Sequence, residues 1–356
     1  MTKIGIFGKT LSKGEAALIT SPISRRYLTR FASSDGFLFV TKNKAFFFLD
    51  SRYFEMACIL KEKGEIPKEI ELCSKRFFPA LEEMVKEEKI EKIYFEDRFM
   101  TVATLSSFEK KCPQVSFLPI GDRIERMRMV KEKDEIEKIA QAQKLAEAAF
   151  SYILPRLGVG RTENDVAAEI EYFMKKNGAS GPSFSTICVS GTRSSLPHGT
   201  PTASPLTNNS FVTMDFGCIL DGYASDMTRT VCIGKASDEM RLVYDTVLTA
   251  QKNAISAVCA GVSGKDVDFA ARDVIAKAGF GEYFGHSTGH GIGLEVHEAP
   301  SFSPSFEGEI PCGAVLSVEP GIYLPGKFGV RIEDLVVVEK KGCRNLNFSP
   351  KELIEL

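Results

Sequence analysis

The stretch that most restricts how this chain can fold is Phe211-Val-Thr-Met-Asp215-Phe-Gly-Cys-Ile-Leu-Asp221-Gly222-Tyr-Ala-Ser-Asp226-Met-Thr-Arg-Thr-Val231. Two apolar runs flank Asp221-Gly222, a dipeptide that suits a two-residue hairpin turn because both central positions of such a turn need positive φ. In an antiparallel hairpin closed by any even-length loop, residues an odd number of positions apart project from the same face. Asp215 and Asp226 are eleven apart, so they share a face. As direct or diagonal cross-strand neighbours they would lie within roughly 4.5–8 Å of each other. Aspartate is disfavoured inside strands, and the surrounding Val212, Met214, Phe216 and Ile219 predict burial. On a surface hairpin two aspartates would simply be wet; two buried carboxylates at that spacing want a cation or a proton.

A second pair of apolar runs repeats the theme. Ala314-Val-Leu-Ser-Val-Glu319-Pro-Gly-Ile-Tyr323 and Gly329-Val-Arg-Ile-Glu333-Asp334-Leu-Val-Val-Val are joined by Leu-Pro-Gly-Lys-Phe. Glu319 and Glu333 are fourteen apart, so a shared face here requires an odd loop or a bulge; alone, Glu333 reads equally well as a partner of Arg331. The histidines are concentrated to the same end. Of four in the chain, three fall in His286-Ser-Thr-Gly-His290-Gly-Ile-Gly-Leu-Glu-Val-His297-Glu298, and His198 stands upstream in Leu-Pro-His-Gly. Gly289, Gly291 and Gly293 predict a ligand-bearing loop in which the backbone takes φ values closed to other residues or a neighbour approaches closely. The helical zinc pair His-Glu-x-x-His is absent. Asp215, Asp226, His290, Glu319 and Glu333 form an oxygen-rich donor set with one nitrogen, which suits Mn²⁺, Co²⁺ or Zn²⁺ better than a thiolate zinc site does.

The rest of the chain frames these motifs. Its 356 residues leave room for two domains. With 45 basic and 47 acidic residues the formal charge is −2, so no global field favours nucleic acid or an anionic membrane. The start lacks the pattern of a cleaved signal, and no apolar run reaches the ~18 residues of a membrane span, which reads as a cytoplasmic protein. Nine scattered cysteines without C-x-x-C read as reduced packing residues. Residues 36–50 give two strands around Lys42-Asn43-Lys44, helical spacing covers 51–63 and 78–89, and 91–96 reads as a strand. An amphipathic helix is expected over 131–154, ended by Pro155, and Thr162 caps a second one to 177. The charge-rich run at 122–137 reads as a solvated helix face. A boundary at its start gives α/β domains at 1–123 and 124–356.

Taken together, Asp215, Asp226, His290 in Gly-His-Gly-Ile-Gly, Glu319 in Val-Glu-Pro-Gly-Ile-Tyr and Glu333 in Gly-Val-Arg-Ile-Glu-Asp resemble the five metal ligands of the pita-bread metallopeptidases. That group includes aminopeptidase P, prolidase and methionine aminopeptidase, with creatinase as a metal-free relative. The resemblance covers about residues 130–350. Upstream, Arg26-Tyr-Leu-Thr-Arg-Phe-Ala-Ser-Ser-Asp-Gly-Phe and Leu49-Asp-Ser-Arg-Tyr resemble the amino-terminal domain of aminopeptidase P and prolidase, except that Arg30 replaces the glycine common there. The resemblance implies an α/β (α+β) fold in which a pita-bread catalytic domain follows a smaller creatinase-like domain. It also implies a homodimer and two divalent ions per subunit, Mn²⁺ first, bridged by Asp226 and Glu333. Asp215 would ligate one ion, and His290 with Glu319 would complete the other.

The same resemblance makes Glu319 a proton carrier and a metal-bridging hydroxide the nucleophile. His198 and His297 would stabilise charge at the scissile carbonyl, with His286, Tyr323 and Arg331 as substrate-side residues. Its substrates would be proline-containing peptides. Prolidases carry an arginine after the His-Glu motif that holds a dipeptide's carboxylate; here His297-Glu-Ala-Pro-Ser301 has serine. The expectation is therefore an aminopeptidase P-like enzyme acting on the first residue of Xaa-Pro peptides, with Xaa-Pro dipeptidase as the alternative. A catalytically silent binding protein of the same fold would have lost ligands, and none is missing.

Overall fold

The computed structural model describes residues 1–356, which divide into two compact units, Met1–Met127 and Arg128–Leu356. In the first, α1 (Lys3–Gly8) precedes β1 (Glu15–Ile19), α2 (Pro22–Thr29), β2 (Phe37–Thr41), β3 (Ala45–Phe48), α3 (Ser51–Glu62) and β4 (Ile70–Cys73). Then come α4 (Phe77–Glu87), β5 (Lys92–Phe95), α5 (Val102–Lys111), β6 (Ser116–Pro119) and α6 (Arg123–Met129). The aromatic run at 36–50 forms the β2–β3 hairpin, and the six strands make one sheet ordered β4-β3-β2-β1-β5-β6. β1 to β3 meander antiparallel, whereas β4, β5 and β6 add in parallel, each after a helix. Phe39, Phe48, Phe77 and Phe108 fill the core beneath, with Phe37 stacked 4.3 Å from Phe77. Arg30 ends α2 at φ 63°, a left-handed position that glycine adopts without strain and that costs an ordinary residue roughly 1–2 kcal/mol.

The second unit uses one plan twice. α7 (Lys133–Ile153) and α8 (Glu163–Lys176) lead through β7 (Gly181–Pro182) and β8 (Ile187–Ser190) into the strands β9 (Ser210–Phe216), β10 (Cys218–Leu220), β11 (Tyr223–Ala224) and β12 (Met227–Ile233). α9 (Asp238–Ala257) and α10 (Gly264–Lys277) lead through β13 (Gly289–Gly291) and β14 (Glu298–Phe302) into β15 (Val315–Val318), β16 (Gly321–Leu324), β17 (Phe328–Arg331) and β18 (Asp334–Val338), and β19 (Cys343–Asn345) closes the edge. In each half a helix pair buries its apolar stripe against one carboxylate-bearing hairpin. One core joins Ala146, Phe150 and Ile170 to Val212, Met214 and Val231, and the other joins Val243, Val247 and Ala271 to Leu316, Val330 and Val336. Each fully buried aliphatic or phenyl side chain contributes roughly 1.5–3 kcal/mol.

α7 stops at Ile153, and Pro155 lies in the 3₁₀ turn that follows. Thr162 and Asp165 form a reciprocal capping box on α8. The charge-rich run at 122–137 departs from a solvated face: Arg128, Lys131 and Glu135 are buried, because an inward carboxylate, Glu298, takes two of them as ion partners. No helix is long and apolar enough to cross a membrane, and all nine cysteines are free, Cys312 exposed and the others at least partly buried.

Candidate active site

Two hairpins, each interrupted once, place the acidic side chains. β9 pairs with β12 with Asp215 opposite Thr228 and Phe216 opposite Met227, and β10 pairs with β11 in the same register. Asp221 and Gly222 close the loop at φ 48° and 79°, the two left-handed residues that a turn of this kind needs. Asp226 sits at the interruption, diagonal to Asp215 and on its face, as the even loop requires. Freed from the ladder, its N–H donates to Gln143 Oε1 at 3.1 Å.

The second hairpin settles the parity question with an odd loop. Val318 opposes Asp334 and Gly321 opposes Arg331 in one continuous register, closed by Pro325, Gly326 and Lys327 with Gly326 at φ 71°. Glu319 and Glu333 therefore face each other across the interruption. Their backbones pair outward: Glu319 N–H donates to Thr288 O at 2.7 Å and Glu333 N–H to Thr228 O at 3.2 Å. A broken ladder thus does two things at once. It turns strand N–H groups onto neighbouring segments, and those bonds draw both hairpins and the histidine strand to one point.

His290 arrives on β13, a strand and not the expected loop. None of Gly289, Gly291 and Gly293 has positive φ; their smallness serves close approach, since a Cβ on Gly289 would stand 1.9 Å from Ser317 O. His290 Nδ1 is 3.2 Å from Gly291 O, so that nitrogen carries the proton and Nε2 is left facing Glu319 Oε1 at 3.2 Å and Asp226 Oδ2 at 3.5 Å. A nitrogen lone pair among carboxylate oxygens repels unless a cation or proton intervenes. Burial pushes the Asp226 carboxyl well up, reinforced by Glu333 and Asp215, and burial with Glu319 and Asp215 does the same to Glu333. Glu319 goes the other way: burial raises it, but the hydrogen bond and charge of His290 outweigh burial and hold it at about 2. Burial lowers His290, and Glu319 overrides it to a net rise.

The donor atoms of Asp226, His290 and Glu333 lie within 4.8 Å of one another. Asp215 Oδ1, Asp226 Oδ1 and Glu333 Oε1 are buried with no hydrogen-bond partner. Buried carboxylate oxygens without donors are costly, and three converging beside an imidazole fit divalent cations, which supply what the protein leaves out.

Asp215, Asp226, His290 and Glu319 floor a cleft of about 600 Å³ walled by Phe184, Ile187, Pro197 and Pro201 and by His198, His286 and His297, and Glu333 lies beneath that floor. The His297 ring stands edge-on to His290 with centroids 4.3 Å apart, and burial followed by the charge of His290 lowers its pKa. His286 is differently placed. Its Nδ1 meets Ser287 O and its Nε2 meets Tyr323 Oη, both at 2.8 Å, so neither nitrogen is left for a substrate. Tyr323 does not line the cleft; its hydroxyl also receives Arg331 Nη1 at 2.8 Å, and burial pushes it up to about 12. Arg331 Nη2 holds Asp215 Oδ2 at 2.6 Å. Tyr323 and Arg331 thus brace Asp215 and His286, and of the two only Arg331 also lines the cleft. Sequence reasoning passed over Thr228, whose hydroxyl donates to Glu333 Oε2 at 2.7 Å. The parity argument could have found it, because Thr228 lies opposite Asp215.

Buried carboxylates and an imidazole under a cleft, at the interruptions of two hairpins, define a metal-dependent hydrolytic centre. Residues 137–340 match the model of metallopeptidase family M24, and residues 12–130 match the creatinase/prolidase N-terminal domain. The chain belongs to the M24 metallopeptidases, with the pita-bread fold of their solved relatives. It is 34% identical over 341 residues to the Xaa-Pro dipeptidase of Pyrococcus furiosus, covering 96% of this chain and 95% of that protein. A solved Xaa-Pro dipeptidase from Bacillus anthracis is 40% identical with a TM-score of 0.91, covering 96% of this chain and 95% of that one. An X-Pro aminopeptidase from Thermotoga maritima is 37% identical with a TM-score of 0.90 and full coverage of both chains.

Proposed function

We propose that this metallopeptidase is an Xaa-Pro dipeptidase, in preference to the aminopeptidase P-like reading that Ser301 suggested. The observation carrying the hydrolytic reading is the cluster of three partnerless buried carboxylate oxygens beside His290. The choice of dipeptides is supported by full-length likeness to Xaa-Pro dipeptidases. Asp215, Asp226, His290, Glu319 and Glu333 would hold two divalent ions, Mn²⁺ in this proposal; when bound, such ions acidify water and polarise a carbonyl. The chain's own groups do the rest. Phe184, Ile187, Pro197 and Pro201 offer an apolar wall to a proline ring and shed water from it. Glu319 accepts a proton from the attacking water at its carboxylate and returns it to the departing amine. His198 and His297, both exposed at the cleft, present ring N–H groups to the charge that develops on the carbonyl oxygen. The proposal includes a homodimer, checked by light scattering.

One observation favours longer peptides. Arg331 is the only arginine or lysine on the cleft, and Asp215 and Tyr323 already occupy it, so a dipeptide's carboxylate finds no free guanidinium there. The deciding experiment compares kcat/KM for Xaa-Pro and Xaa-Pro-Yaa after reconstitution with Mn²⁺, Co²⁺ or Zn²⁺. Dipeptides are expected to be cleaved better; a clear preference for tripeptides reinstates the aminopeptidase reading.

A further inference from the structure

We propose that Arg128 and Lys131, in the segment leading into α7, are positioning residues for His297 and act through Glu298; this rests on the reading of His297 as a group that works on the scissile carbonyl. The hairpin of β13 and β14 slips register between its first and second halves, with His290 opposite Ser301 but Gly291 opposite Glu298. His297 is the last residue before β14 and is free of ladder pairing, so something other than the sheet must fix its direction. His297 faces the cleft beside His290, and Glu298 goes behind it.

Behind the loop, Glu298 is folded under its own chain. Its Oε1 accepts the Glu295 N–H at 3.1 Å, and a Cβ on Gly293 would stand 2.7 Å from that same oxygen. Glycine at 293 is what leaves room for the carboxylate. The Glu298 side chain is 4% exposed, and it is met by Arg128 Nη2 at 2.5 Å and Lys131 Nζ at 3.3 Å, whose side chains are 9% and 2% exposed. Arg128 also reaches Glu295 Oε2 at 2.7 Å, so one guanidinium grips both ends of the turn that delivers His297. Lys131 is itself anchored, since its N–H donates to Gly313 O at 3.0 Å just before β15.

A buried ion cluster of this kind is a poor source of stability, because desolvation of each charge offsets most of the attraction and an apolar replacement often does as well. What it does supply is direction: Glu298 Oε1 takes the hydrogen bonds of Arg128 and Glu295 N–H while Oε2 faces the charge of Lys131, and together these fix one loop conformation. That conformation aims the imidazole of His297.

The test uses the metal-reconstituted enzyme and the variants Arg128→Gln, Lys131→Met and Glu298→Gln, each alone and combined with His297→Ala. Measured quantities are kcat, KM, metal content and Tm. Each single variant is expected to lower kcat roughly tenfold, with KM and metal content within about twofold of the parent. In the His297→Ala background the same changes should lower kcat by less than about twofold further, because the residue they aim is gone. Arg128→Lys should recover part of the loss. Should Arg128→Gln fail to fold, the near-isosteric Lys131→Met and Glu298→Gln carry the same comparison. Unchanged kcat in the single variants, or losses that multiply with that of His297→Ala, overturn the proposal. A His297→Ala enzyme with parental kcat overturns the reading of His297 itself, and this proposal with it.

Discussion

On the side of the second hairpin that meets Asp226 and His290, the cleft side, Glu333 keeps one oxygen with no partner at all, whereas on the packed side its neighbour Asp334 receives hydrogen bonds from Arg229, Gln251, Asn345 and Lys351 at 2.8, 3.1, 2.8 and 2.6 Å. Both carboxylates are buried. Burial, with Glu319 and Asp215, drives Glu333 well up. Burial also acts on Asp334, but Arg229 and Lys351 outweigh it and hold that group below the usual aspartate range. The packed side repeats its rule elsewhere: Asp268 is satisfied by Arg272 and by Thr288 N–H and hydroxyl, and Glu163 by Arg193 and Thr202. On this hairpin the saturated buried carboxylate builds the fold, and the unsaturated one waits for a ligand.

The largest expected effect comes from breaking the unsaturated side. Glu333→Gln removes a carboxyl whose charged form burial and two nearby carboxylates disfavour in the metal-free protein, so the chelated variant should be at least as stable as the chelated parent. Activity after reconstitution should nevertheless fall by roughly 10³-fold or more, with reduced metal content. Tm and elemental analysis on the same preparation decide it. A variant with full activity would end the two-ion reading.

Asp334→Asn is the mirror experiment. It leaves Arg229, 1% exposed, without its counter-charge, and breaking a buried pair costs about 3–5 kcal/mol. Turnover by the folded fraction should stay within about twofold, because Asp334 touches nothing in the cleft. The pH dependence has a definite sign. Asp334 has a depressed pKa in the fold, so its contribution is present above the ordinary aspartate value of about 4 and is lost as pH falls through the depressed one. The gap in Tm between parent and variant should hold at neutral pH and narrow below about pH 4. A gap independent of pH would mean that the charge of Asp334 was not what stabilised the fold.

The sequence carried the cleft side further than the packed side, for a physical reason. Alternation along strands and the parity of a loop place Asp215 beside Asp226 without any knowledge of the rest of the chain, because both facts are local. For Glu319 and Glu333 local parity demanded an odd loop without saying whether Pro325-Gly326-Lys327 supplied it, and the register did. The burial of Arg128 and Lys131 was out of reach, since it depends on Glu298 far along the chain, and a mixed-charge run looks the same whether water or a distant carboxylate satisfies it. Glycines 289 to 293 show the same limit. Their composition announced something unusual, but close approach by Ser317, Ala299 and Glu298, not special φ, was the cause. The family resemblance supplied roles for the histidines, and only the hydrogen bonds separate His286, with both nitrogens engaged, from His297.

Thr228 sits on the seam between the two kinds of carboxylate and gives the finest test. Its hydroxyl donates to Glu333 Oε2 at 2.7 Å and receives Arg331 Nε at 3.1 Å, while its carbonyl takes the Glu333 N–H. It is the single side chain bonded to the Glu333 carboxylate, so it fixes which oxygen is left without a partner. Thr228→Val keeps the shape and the backbone bond but removes the hydroxyl. Partners behind a metal ligand are typically worth 10–100-fold in affinity or activity; with one of two oxygens still free and the backbone bond intact, the low end is expected, about tenfold in metal affinity. Stability should drop by about 1–2 kcal/mol, chiefly because the Arg331 Nε donor loses its acceptor. Thr228→Ser, which restores the hydroxyl on a looser rotor, should recover most of the affinity and little of the packing. If Thr228→Val binds metal as the parent does, the orientation of Glu333 is set by its backbone alone, and the contrast between the two faces is one of partner count rather than of aim.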